Sequence, residues 1–152
     1  MTYYVIIRLI KNEQETTMNT EDFAIRLSQH RTAEGFTFDC QTIAGEVEVL
    51  QVEVNGFDGF PIFITQTQTQ IICIIYLWAE AEIKAESRVE MLEMMMDTSI
   101  TIPLSSYARV NDRYVLYGAL SVKSGLEKVV EEIVTLNENA IDVVSAMEDF
   151  LQ

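Results

Sequence analysis

Apolar residues recur at alternating three- and four-residue steps near the end of the chain: Leu126, Val129, Ile133, Leu136, Ala140, Val143, Met147 and Phe150. That spacing lines one face of a helix. It predicts one long closing helix over residues 124–152. Val130, Val144 and Leu151 widen the stripe beyond the narrow seam of a two-stranded coiled coil, so the helix is expected to pack on a sheet or a globular core. The opposite side carries Glu127, Glu131, Glu138, Asp142 and Asp149. Such a helix is roughly 40 Å long, whereas an eight-residue strand spans about 27 Å. The apolar stripe is therefore expected to overhang its sheet near Met147, Phe150 and Leu151 and to need another cover.

Upstream, the pattern alternates between helix and strand. Asn19 or Thr20 can cap a short helix, with Glu21 and Asp22 in its first turn. Phe23, Ala24, Leu27 and the stem of Arg31 are expected to mark its buried side, and Gly35 suits its end. Phe36, Phe38 and Cys40 allow a short extended segment. Residues 47–54 read as a strand whose phase changes between Val49 and Leu50, which a bulge would reconcile. Pro61 opens the next strand, and the Thr-Gln repeats at 65–70 suit a solvated hairpin end. Residues 71–78 are apolar on both alternating faces, as in a central strand covered on both sides. Residues 82–98 have helical period, with Val89, Leu92 and Met96 on one face and Met91 and Met95 beside it. A second hairpin turns at Asn111-Asp112 and leads into the closing helix, where Ser121 or Ser124 can cap. The order is helix, three strands, helix, two strands, helix. It predicts an α+β fold: an antiparallel sheet with helices packed mainly on one face. If the other face is a dimer surface, of Val115→Asp and Leu116→Asp one should unfold the chain and the other only dissociate it.

Residues 1–17 do not fit this pattern. The stretch from Tyr3 to Ile7 has strand composition, and a polar tract follows it up to the helix-start signals after Met18. The reading is an N-terminal extension at 1–17 and a single domain over 18–152, with an edge strand as the other use of the extension.

With 24 acidic residues against 10 basic ones, the formal charge is −14. Nucleic-acid binding needs a basic footprint, which is missing. The same field favours a basic partner. No apolar run approaches the roughly 20 residues that span a bilayer, and the apolar start lacks a signal-peptide cleavage pattern, so no membrane insertion and a cytoplasmic location are expected. Cys40 and Cys73, far apart among apolar neighbours, read as buried thiols rather than a disulfide.

Chemistry-bearing constellations are sparse. His30 is the single histidine, with no ligand-type residue at metal spacing. Ser105-Ser106 lacks a nucleophile-elbow pattern. Glu80, Glu82, Glu86, Glu90 and Glu93 fall where a solvated helix face should lie, with no calcium-loop pattern. No catalytic residue, cofactor or metal ligand is assigned.

Two resemblances add to this. Residues 103–121, from Pro103 through Tyr107, Arg109, Asn111, Tyr114 and Gly118 to Ser121, resemble the signature of a bacterial family of unknown function typified by YjfI. Glu131-Glu132-Ile133-Val134-Thr135-Leu136 and Asn139-Ala140-Ile141 resemble it as well, and the similarity runs over about 18–152. The resemblance implies no catalytic residues. It implies an accessory role beside a membrane-associated coiled-coil protein of envelope stress. The element order is also similar to that of type III secretion chaperones and YbjN-like proteins, which are small, acidic and often dimeric binders. The leading expectation is a non-enzymatic, chaperone-like adaptor, acting as a homodimer on a basic or amphipathic helical protein partner. Its candidate binding residues are Glu131, Glu138, Asp142, Met147 and Phe150. The alternative is an enzyme using clustered carboxylates in a cleft.

Overall fold

Asn19 caps the first helix, α1 (Thr20–Gln29), its side chain accepting from the N–H groups of Glu21 and Asp22 at 3.0 and 3.3 Å. A computed structural model describes residues 19–57 and 59–152. The N-terminal extension expected at 1–17 lies outside the described residues. Helix α1 stops at Gln29, short of Gly35, which instead turns the following loop with φ +97°.

Four strands follow: β1 (Thr37–Ile43), β2 (Val49–Asn55), β3 (Ile62–Gln66) and β4 (Gln70–Ala79). Then come α2 (Arg88–Ser99), β5 (Ser106–Val110), β6 (Arg113–Ser121) and α3 (Leu126–Met147). The sequence suggested three strands in the first run. The extended segment at Phe36 to Cys40 is a full strand and supplies the fourth. All neighbours are antiparallel, in the order β1-β2-β3-β4-β6-β5. Asn111 takes φ +55° in the two-residue turn between β5 and β6. Asparagine is among the few residues that tolerate that conformation.

The sheet and the helices enclose the core. Helix α1 covers β1 and β2, and α3 covers β4 and β6. Leu27 from α1 and Ile133, Leu136 and Ala140 from α3 meet Val52, Ile75 and Leu116, all at 0 % exposure. No shift occurs at Val49–Leu50; the two pair in register with Ile43 and Thr42, so the expected bulge is absent there. The irregularity lies in β4 instead, between Tyr76 and Ala79. An extra residue inverts the alternation, and Trp78 joins the helix-side core, its ring stacked on Tyr114 at 6.1 Å. On the second face, Ile74 and Val115 are buried too. That face is therefore closed at the place where a dimer surface was considered.

Two helices differ from the sequence reading. Helix α3 ends at Met147, gives one 3₁₀ turn at Glu148–Phe150, and Leu151 then forms a bridge with Ile83. The Phe150 carbonyl accepts from the Lys84 N–H at 2.9 Å, and the Gln152 N–H donates to the Glu82 carbonyl at 2.8 Å. The apolar end does not overhang, because residues 80–84 cover it. Helix α2, which lies against β5, begins only at Arg88 and turns the second of its two apolar rows to the core, with Leu92 packed beside it. Met91 and Met95 are buried, while Val89 and Met96 stand out in solvent. Both pairings satisfy helical spacing. Arg88, bonded through Nε to Glu80, fixes the start of the helix with Val89 outward.

Candidate partner-binding surface

A groove of about 530 Å³ runs between the loop after α1 and the flank of α3. Phe36, Val130 and Val134 supply apolar lining, and Glu127, Glu131 and Glu138 stand on its α3 side, facing His30 and Arg31. The acids lie four and seven residues apart, so helical geometry lines them up on one side. Lys128 donates to Glu131 at 2.8 Å, across an exposed pair. Such a pair contributes little to stability and leaves the groove's net charge negative on the α3 side.

Of the five residues proposed from the sequence, Glu131 and Glu138 meet in this groove. Asp142 is exposed one turn further along α3. Met147 is in the core at 1 % exposure, and Phe150 is half-buried against it. The last two therefore do not join the acids in an open surface.

Three polar residues of α3 were not singled out by the sequence, and all three are buried: Glu132, Asn137 and Asn139. Asn137 accepts from the Phe60 N–H at 3.3 Å and donates to the Phe60 carbonyl at 3.2 Å. Asn139 donates to the Pro103 carbonyl at 2.7 Å and to Ser105 Oγ at 2.9 Å. These bonds hold the connections before β3 and β5 against the helix. Glu132 reaches over Gly118 of β6, where any Cβ would overlap its Oε1. The Leu104 carbonyl oxygen lies 3.1 Å from the same point. Glu132 Oε1 has no hydrogen-bond partner among the described residues. Burial first, and then the neighbouring charge of Glu131, push the Glu132 carboxyl up to about 7. The signal in the sequence was spacing: Glu132, Leu136, Asn139 and Val143 follow the same three- and four-residue steps as the apolar stripe.

The carboxylates considered for catalysis do not gather in a cleft. Glu80 accepts from Arg88, from the Tyr114 hydroxyl at 2.6 Å and from Arg109 at 3.0 Å. The Arg88 hydrogen bond, and then that of Tyr114, hold its carboxyl below the usual range. Glu82 accepts from the Ala79 N–H at 2.6 Å, and Glu90 and Glu93 are exposed. Among the described residues no group of three or more His, Cys, Asp or Glu side chains is placed to hold a metal ion. Nor, among them, is any helix long and apolar enough to cross a membrane.

Residues 17–151 match the model of a family described as an uncharacterized protein conserved in bacteria, DUF2170. The chain belongs to this family. The DUF2170 chain is 26 % identical over 112 residues to YjfI from two strains of Escherichia coli, covering 71 % of this chain and 83 % of YjfI. Its fold is similar to that of a chain in the heterodimeric complex ExoU–SpcU from the type III secretion system of Pseudomonas aeruginosa. There the TM-score is 0.53 at 8 % identity, over 84 % of this chain and 96 % of that one. It is also similar to YbjN from E. coli, with TM-score 0.53 at 14 % identity, over 74 % and 84 % of the two chains. The DUF2170 chain thus shares the fold that its element order resembled; at such identities the likeness concerns the fold alone.

Proposed function

We propose that this DUF2170 protein is a non-enzymatic, chaperone-like adaptor of the cytoplasm that holds a basic, amphipathic helical segment of a partner protein. The observation that carries the reading is the groove between α1 and α3, whose apolar lining is edged by Glu127, Glu131 and Glu138. Apolar burial would supply the salt-insensitive part of affinity, and the acids, with Asp142 beyond them, the steering. The likeness to a chain of a heterodimeric secretion complex supports a protein as the partner. The homodimer expected from the sequence gains no comparable support. The second sheet face is closed at Val115, and pairing α2 with its own copy would oppose Glu90, Glu93 and Asp97 to themselves. An accessory role beside an envelope-stress coiled-coil protein fits this chemistry where such a protein carries basic amphipathic helices.

Reversing Glu131, Glu138 and Asp142 to Lys is expected to slow association with a partner captured at low salt by about ten-fold or more and to flatten its salt dependence. Surface plasmon resonance from low to high salt measures both. A triple variant that associates as fast as the native protein at low salt would reduce these acids to a solubilising face.

A further inference from the structure

The most exposed of the large apolar side chains among the described residues gather on α2 and the connection after it. Ile100 is 92 %, Met96 77 %, Val89 65 % and Leu104 59 % exposed. Val89, Met96 and Ile100 are seven and four residues apart, so they share one helix face over about 16 Å. Met91 and Met95, on the opposite side, are the part of α2 that enters the core. An apolar row left outside in this way marks an interaction surface.

Charge indicates what it takes. Glu86, Glu90, Glu93 and Asp97 are exposed along the same segment. The one cation of α2, Arg88, is engaged by Glu80. A second copy of the chain would bring four like charges against four, a mismatch that opposes pairing. A cationic partner meets a complementary field. The fold also holds Leu104 in place at some cost. Its φ of +59° is a left-handed conformation unfavourable for a leucine. Hydrogen bonds from the buried Asn139 to the residues on either side, Pro103 and Ser105, keep it there. Backbone strain kept up by buried bonds, in order to present an exposed leucine, is characteristic of a binding site.

We propose that the outward face of α2, continued by Leu104, docks an amphipathic helix whose apolar side is flanked by lysine or arginine. The inference is independent of the groove beside α3. Val89, Met96 and Ile100 supply the apolar row, Glu90, Glu93 and Asp97 select the charge of the partner, and the methionines adapt to its shape.

The methionine methyls report on this directly. The full chain, carrying ¹³C-methyl methionine, is titrated with a helical peptide of about 18 residues in which leucines form one face and lysines the other. A peptide with glutamate in place of lysine is the control. The Met96 signal is expected to move with the lysine peptide and to stay with the glutamate peptide, while the buried Met91, Met95 and Met147 signals hold. Combined Val89→Ser, Met96→Ser and Ile100→Ser should weaken binding roughly ten-fold at high salt, where steering is screened. Ile100→Ser alone carries this arm should the triple variant lose its melting transition. Glu131→Gln with Glu138→Gln should leave the Met96 shift unchanged, which separates this face from the groove. An unmoved Met96, or equal shifts with both peptides, overturns the proposal. So does a concentration-dependent Met96 shift accompanied by a sedimenting dimer that the serine variant dissolves, since the face would then belong to a second copy.

Discussion

Val115→Asp and Leu116→Asp are both expected to abolish cooperative unfolding. Leu116 is 0 % and Val115 1 % exposed, on opposite faces of β6, the strand between β4 and β5. Leu116→Asp would bury a carboxylate in the apolar helix-side core, and Val115→Asp would bury one on the second face opposite Tyr76, whose ring carries the Arg113 guanidinium 5.6 Å from its centroid. Desolvating the carboxylate costs several kcal/mol, even beside a cation, and the lost apolar contact adds about 2 kcal/mol more. A domain of this size is stable by only about 5–15 kcal/mol. Circular dichroism melts should show no transition for either variant. A Val115→Asp chain that melts like the native one would mean that the second face opens to water at that strand. The sequence placed these two residues on different faces, and they are. It could not show that both faces are closed there, because closure depends on tertiary contacts rather than on period.

Where local chemistry decides, the sequence was readable. The repeat along α3 requires a sheet-packed helix. Asn111-Asp112 closes a two-residue hairpin because Asn111 adopts φ +55° readily. Residues 71–78 are apolar on both faces, and β4 has neighbours on both edges. Where two arrangements satisfy the same period, the sequence was silent. On α2, Met91 with Met95 and Val89 with Met96 are equally good helical rows, and a tertiary anchor, Arg88 on Glu80, selects the first. The end of α3 looked unsupported because its cover comes from residues 80–84, some sixty-five positions upstream by Lys84 and Asp149. The β4 bulge leaves no mark in an unbroken apolar run, since either register buries a hydrophobe. Within the candidate groove, Glu131 and Glu138 were legible from helical spacing. Phe36 and Arg31 were not, since they arrive from a loop across α1.

Glu132 gives the last prediction, because its proton and its fold are linked. An unfolded glutamate releases its proton near pH ~4.3, whereas Glu132 in the folded chain holds it up to about 7. Between those values the folded state binds more protons than the unfolded one. This residue's contribution to stability is therefore fully present below about 4.3, falls as pH rises through the window, and levels off above 7. The loss is at most about 3–4 kcal/mol, at 1.36 kcal/mol per pKa unit. Glutamine keeps the shape and stays neutral. Glu132→Gln should melt with the native protein near pH 4.5 and about 5 °C or more above it at pH 8. The other acids change the pH profile of both chains alike, so the difference between the two melts isolates this group. Gly118 tests the same contact from the sheet side. Any Cβ there overlaps Oε1, and Gly118→Ala should cost about 1–3 kcal/mol by overpacking. Combined with Glu132→Ala, which vacates the space, the alanine should cost much less, leaving a coupling of about 1 kcal/mol or more in a double-mutant cycle. Additive losses, together with parallel native and Glu132→Gln melts from pH 4.5 to 8, would show that the carboxyl does not sit over Gly118 with a raised affinity for its proton.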